Sequence, residues 1–154
     1  MKKLLLLSAL LIFACSSDDS NDNNDDSNQN FLEKYDGVFW KEIDNEQDFA
    51  SDYEYWVIFN QNSSYDCESY ESNCNCSTPF NWGEEDEEGN SYVISEDSPE
   101  RLVVLVTDVD DFQTYQYTVS IDAINNGTRI EVRNSEDDSN DVEYYDRVSE
   151  QPCN

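Results

Sequence analysis

The chain is predicted to carry one all-β domain, a small eight-stranded antiparallel meander that closes into a barrel, with a β-sandwich as the alternative. Three observations predict it. From residue 31 onward, apolar residues come in short runs divided by polar turns, and no stretch shows the periodicity of a long amphipathic helix. The 10 Tyr, 7 Phe and 3 Trp demand a packed core despite a formal charge of −28. Successive strands joined by short turns suit a meander, and closure removes its exposed edges.

The elements follow in order. Phe31 to Asp36 is a short helical turn ahead of the domain. The strands are Gly37 to Ile43, Tyr53 to Asn60, Ser64 to Tyr70, Ser91 to Ser95, Leu102 to Thr107, Phe112 to Ile121, Thr128 to Arg133 and Val142 to Val148. The clearest contains Tyr115, Tyr117, Val119 and Ile121, which alternate with Gln116, Thr118 and Ser120 as a half-buried strand requires. Ile130 and Val132 alternate with Arg129, Glu131 and Arg133. Asn125-Asn126-Gly127 between these runs is a hairpin turn, because Asn and Gly tolerate positive φ. Ser98-Pro99-Glu100 and Asp110-Asp111 mark two more turns.

Asp36-Gly37-Val38-Phe39-Trp40, the strand Tyr55 to Asn62, the paired late strands Tyr117 to Ile121 and Gly127 to Val132, and Tyr144 to Val148 together resemble the small lipocalin-like (calycin) domains of Bacteroidetes-type lipoproteins. The resemblance spans most of residues 35 to 149; residues 66 to 89 depart from it as an insertion. It implies an eight-stranded barrel, closed at one end by an N-terminal segment, that holds an apolar ligand.

The N-terminal residues give an address. Lys2 and Lys3 precede a ten-residue apolar run, Leu4 to Phe13, interrupted only by Ser8. At about 1.5 Å per residue such a run spans half of a roughly 30 Å hydrocarbon core, so it reads as a secretory signal and not as a membrane span. Ile12-Phe13-Ala14-Cys15 resembles a bacterial lipobox, which implies cleavage after Ala14 and acylation of Cys15. Ser16-Ser17-Asp18-Asp19 resembles the acidic export signal of Bacteroidetes-type surface lipoproteins. The expected organisation is a signal peptide at 1–14, a lipidated Cys15 with an acidic tether at 15–30, and the β domain at 31–154. The expected location is the outer membrane, lipid-anchored and facing outward. Asp22, Asn24, Asp26, Asn28, Asn30 and Glu33 fall at EF-hand ligand positions, but Ser27 stands where the loop needs Gly and no entering helix precedes it.

Apart from Cys15 the cysteines are Cys67, Cys74, Cys76 and Cys153. An even number in an exported chain reads as two disulfides. A bond between Cys74 and Cys76 would strain a very small ring. Two pairings remain: 67–74 with 76–153, or 67–76 with 74–153. Four thiolates holding zinc is the competing reading, but the C-x6-C-x-C spacing is not that of paired zinc ligands.

Chemistry is sparse elsewhere. There is no histidine, which excludes Ser-His-Asp and Cys-His catalysis and histidine metal sites. Four glycines form no phosphate loop, and neither a cofactor nor a resident metal is expected. Loss of Lys2 and Lys3 with the signal takes the formal charge from −28 to −30, a field that repels nucleic acid and favours a basic protein partner. The acidic loops Glu84 to Glu88 and Asp108 to Asp111 read as solvated surface, with calcium binding the alternative. Trp40, Trp56, Tyr115 and Tyr117 are the candidate ligand-binding residues, with core packing the competing reading. Tyr55 belongs with them, and Trp82 is the aromatic expected to be most exposed. The leading function is a non-catalytic binding module for a small apolar ligand. The alternative is an interaction lipoprotein serving a surface assembly; a hydrolase acting through two carboxylates is a remote third.

Overall fold

The computed structural model describes residues 29–43, 53–71, 73–110, 113–136 and 142–153. The signal, Cys15, the tether up to residue 28 and Asp111 lie outside the described residues. One helical turn, α1 (Phe31–Lys34), leads into ten strands. These are β1 (Val38–Glu42), β2 (Tyr53–Phe59), β3 (Ser63–Tyr70), β4 (Asn73–Cys76) and β5 (Phe80–Asn81), then β6 (Ser91–Ser98), β7 (Arg101–Asp110), β8 (Gln113–Ile124), β9 (Arg129–Asn134) and β10 (Glu143–Val148). All eight expected strands are present. The count is corrected from eight to ten because the insertion folds as two short strands, β4 and β5, on β3.

Every pairing is antiparallel, in the order β4-β3-β2-β1-β10-β9-β8-β7-β6, with β5 also on β3. The chain therefore folds as a meander whose first strand is flanked by β2 and the last strand. The expected closed barrel is not what this pairing describes: β4 and β6 are the two ends of the path, with no ladder between them. What lies between β3 and β6 is the β5 segment. Asn81 pairs with Ser63, Trp82 N donates to Asn62 O, Gly83 N donates to Tyr92 O, and Glu85 bridges Ser91.

The sheet is strongly coiled. Five strand steps separate β2 from β7, about 24 Å in a flat sheet at about 4.8 Å per step. Yet Phe59 of β2 shares one buried cluster with Leu102, Val104 and Val106 of β7. The inward residues follow strict alternation: Trp40 on β1, Val57 and Phe59 on β2, Ile121 on β8, Ile130 on β9, Tyr145 on β10.

α1 plugs one end of this cluster. Phe31, Leu32 and Tyr35 are buried, with the Phe31 ring against Tyr35 and Phe59 and the Tyr35 ring edge-on to Trp40. Four residues make no stable helix alone; tertiary bonds hold this one. Asn30 and Glu33, candidate calcium ligands in sequence, form a capping box instead. Asp97 of β6 accepts hydrogen bonds from Phe31 N at 2.8 Å and Leu32 N at 3.3 Å, and Lys34 pairs with Glu100. The Asn125-Asn126-Gly127 turn lies against the plug, all three residues at positive φ. A methyl on Gly127 would sit 2.5 Å from Tyr35 Oη, so this turn needs glycine for space as well as for conformation.

Candidate functional site

The coiled face lines an open cavity of about 330 Å³ at the end away from α1. Strand alternation builds its wall. Val57 and Phe59 come from β2, Val104 and Val106 from β7, Val119 from β8 and Val132 from β9. The β5 segment adds Phe80 and Trp82, and β6 adds Tyr92. Phe80 stacks on Tyr92 with ring centroids 4.1 Å apart and meets Trp82 edge-on at 5.3 Å.

Polar groups are few and mostly bonded. Ser64 Oγ donates to Ile58 O at 2.9 Å, and Trp82 Nε1 donates to Asn60 O at 3.0 Å. Tyr55 Oη donates to Asp66 at 2.9 Å, and Tyr145 Oη donates to Glu143 at 2.7 Å. Burial pushes the Tyr55, Tyr92 and Tyr145 phenols above their usual range. Neighbouring carboxylates add to the shift: Asp66 at Tyr55, Asp86, Asp108 and Asp66 at Tyr92, Glu143 and Glu42 at Tyr145. The cavity is thus apolar in its depth and negative at its mouth.

Of the aromatic candidates, Tyr117 and Tyr55 line this cavity, and Trp40, Trp56 and Tyr115 do not. Trp40 is fully buried among the core residues near α1. Tyr115 shares a face with Tyr117 but stands two pairs nearer the β7–β8 turn, where it is exposed. Trp56 has the opposite parity on β2 and faces outward, packed with Ile58, Cys67, Phe39, Tyr65 and Val148 in a second cluster. Lys41 Nζ sits 5.3 Å from its ring centroid. Trp82, expected to be exposed, is half-buried in the cavity wall. Sequence reasoning passed over Tyr92, Tyr145 and Asp66. What identifies them is strand pairing, since Asp66 stands opposite Val57, Tyr92 opposite Val106 and Tyr145 opposite Ile130.

The outward face carries the disulfides. Cys67–Cys76 joins directly opposed residues of β3 and β4, with Cα atoms 4.0 Å apart. Cys74–Cys153 ties the C-terminal residues to β4. Of the two pairings left open by the sequence, this is the second. Cys67, Cys76 and Cys153 are the one close set of potential metal-ligand atoms among the described residues, and bonded sulfurs supply no thiolate. In the acidic loop, Asp86 accepts from Asn90 N at 2.8 Å, Glu88 N at 2.9 Å and Asn90 Nδ2 at 3.0 Å. These bonds, the one from Asn90 N foremost, hold the Asp86 carboxyl below its usual range. Its oxygens are engaged in shaping the loop.

No family model, curated protein or solved structure matches this chain in comparisons with all three.

Proposed function

We propose that this chain is a surface lipoprotein whose β domain is a non-catalytic module for binding a small, largely apolar ligand. The observation that carries this reading is the cavity, walled by side chains from strands across the whole sheet and stopped at the far end by α1. Its volume lies at the small end of the roughly 300–1,000 Å³ typical of ligand pockets. A lipocalin-like barrel accounts for the coiled sheet, the plug and the β5 segment between β3 and β6. Lipidation at Cys15, and outward display from the outer membrane, rest on the lipobox and the acidic segment behind it. Several acyl chains on Cys15 would anchor firmly, at about 0.8 kcal/mol per buried methylene. The strongly acidic surface supports a second reading, an interaction lipoprotein that docks a basic partner.

Titration with the neutral fluorophore N-phenyl-1-naphthylamine tests the binding reading. We expect saturable enhancement at one site per chain, and its loss in Val119→Trp, which fills the cavity, with the melting transition of that variant retained. Equal enhancement by the two proteins would place the dye elsewhere and count against the cavity.

A further inference from the structure

We propose that the ligand of this cavity is a small amphipathic cation, an aromatic or apolar body carrying a protonated amine, with Asp66 as its counter-ion. The proposal rests on reading the cavity as a binding site and goes further by naming the chemistry of its occupant.

The wall contains one charged residue, Asp66, and no lysine or arginine. Asp66 lies on β3 opposite Val57, on the inward face. None of the ion pairs among the described residues includes it. The Tyr55 hydroxyl donates to its Oδ2, and no donor among the described residues reaches Oδ1. Asp66 is half-buried, and once a ligand displaces the water from this largely apolar wall its carboxylate is costly unless a donor or a cation meets it. Here the chain supplies one hydrogen bond, and a bound ammonium would supply the cation.

The surroundings favour the same occupant. The rings of Trp82, Tyr92 and Tyr55 stand in the same wall, and aromatic faces attract cations within about 6 Å of the centroid. Asp86, Asp108 and Glu143 raise the phenols of Tyr92, Tyr55 and Tyr145 beyond what burial does, so they place a negative potential at the mouth. A fatty acid or other anion would meet that potential with no basic side chain to receive it. A wholly neutral ligand would leave Asp66 without a cation. The cavity volume suits one fused ring pair or a short chain, not a long acyl tail.

The test is calorimetric titration of the folded chain with three naphthalene probes of matched size: 2-(1-naphthyl)ethylamine, 1-ethylnaphthalene and 1-naphthylacetate. The amine should bind at least tenfold more tightly than the neutral probe, and the carboxylate more weakly than either. Asp66→Asn keeps an acceptor for Tyr55 and should cost the amine at least tenfold while moving the neutral probe less than twofold. Glu150→Gln, on the outward face, removes one charge from the whole molecule and should change neither, which separates a local counter-ion from the overall field. Should Asp66→Asn fail to fold, the wild-type ranking of the three probes still decides. Binding of amine and neutral probe with equal affinity would overturn the counter-ion role and leave the cavity reading standing. No heat from any probe, with near-UV circular dichroism intact, would overturn both.

Discussion

Tyr55 and Tyr145 are the inward phenols that burial and charge together shift furthest. Each is half-buried or more deeply placed, and each donates to a carboxylate, Asp66 and Glu143 respectively. Burial is the larger cause of their raised pKa, and the carboxylates add to it. The sign of the consequence is fixed. In the unfolded chain a tyrosine loses its proton near pH 10; in the folded chain these two hold theirs beyond that. Their contribution to stability is therefore complete below about pH 10 and is lost as pH rises past it. Absorbance at 295 nm should show at least two phenols, Tyr55 and Tyr145 among them, ionising only together with the loss of near-UV circular dichroism, and Tyr55→Phe should remove one of them. A titration that finishes before unfolding begins would contradict this. Trp40 and Trp56 behave differently. Their Nε1 atoms are buried with no hydrogen-bond partner among the described residues, which makes them packing residues more than recognition groups.

Two disulfides join the β3–β4 hairpin and the C-terminal residues into one unit. Among the described residues β4 pairs with β3 alone and stands at the edge of the sheet, and the two disulfides secure it on both sides. Closing a loop of 79 residues with Cys74–Cys153 contributes about 4 kcal/mol in the chain-entropy model. The double variant Cys74→Ala, Cys153→Ala should lose stability in denaturant titration up to that amount while the protein still folds. Peptide mapping without reductant should recover 67–76 and 74–153 and no other pair; recovery of 67–74 would contradict the register of β3 and β4.

These elements were visible in the sequence to different degrees. The alternation from Tyr115 to Ile121 and the Asn-Asn-Gly turn placed β8 and β9 directly, because period two and positive φ are local properties. β4 and β5 were not, because Cys74 and Phe80 sit in runs of two to four residues whose strand character comes from pairing with β3. The same limit explains the aromatic candidates. Residue type pointed to Trp40 and Trp56, but adjacent strands decide which face is inward, and Trp56 lies on the other one. Asp66 looked like any other of the 36 acids until β2 brought Tyr55 beside it.

The molecule joins a dry, plugged interior to an acidic exterior. A formal charge of −28 keeps the surface solvated and repels anions, while the core of Trp40, Tyr35, Phe31, Leu102 and Ile130 excludes water completely or nearly so. The cavity is where these two regimes meet: valine and aromatic walls below, carboxylates at the mouth. A largely apolar cleft that opens to solvent holds water against valine and aromatic side chains, and a ligand that displaces that water gains the hydrophobic term. Intermolecular nuclear Overhauser effects between 2-(1-naphthyl)ethylamine and the methyl groups of the chain test occupancy most directly. We predict contacts from the naphthalene protons to Val57, Val104, Val106, Val119 and Val132, and from the methylene beside the amine to the Tyr55 and Tyr92 rings. Contacts confined to the outward cluster of Phe39, Ile58 and Val148, or none with these five valines, would contradict an interior binding site.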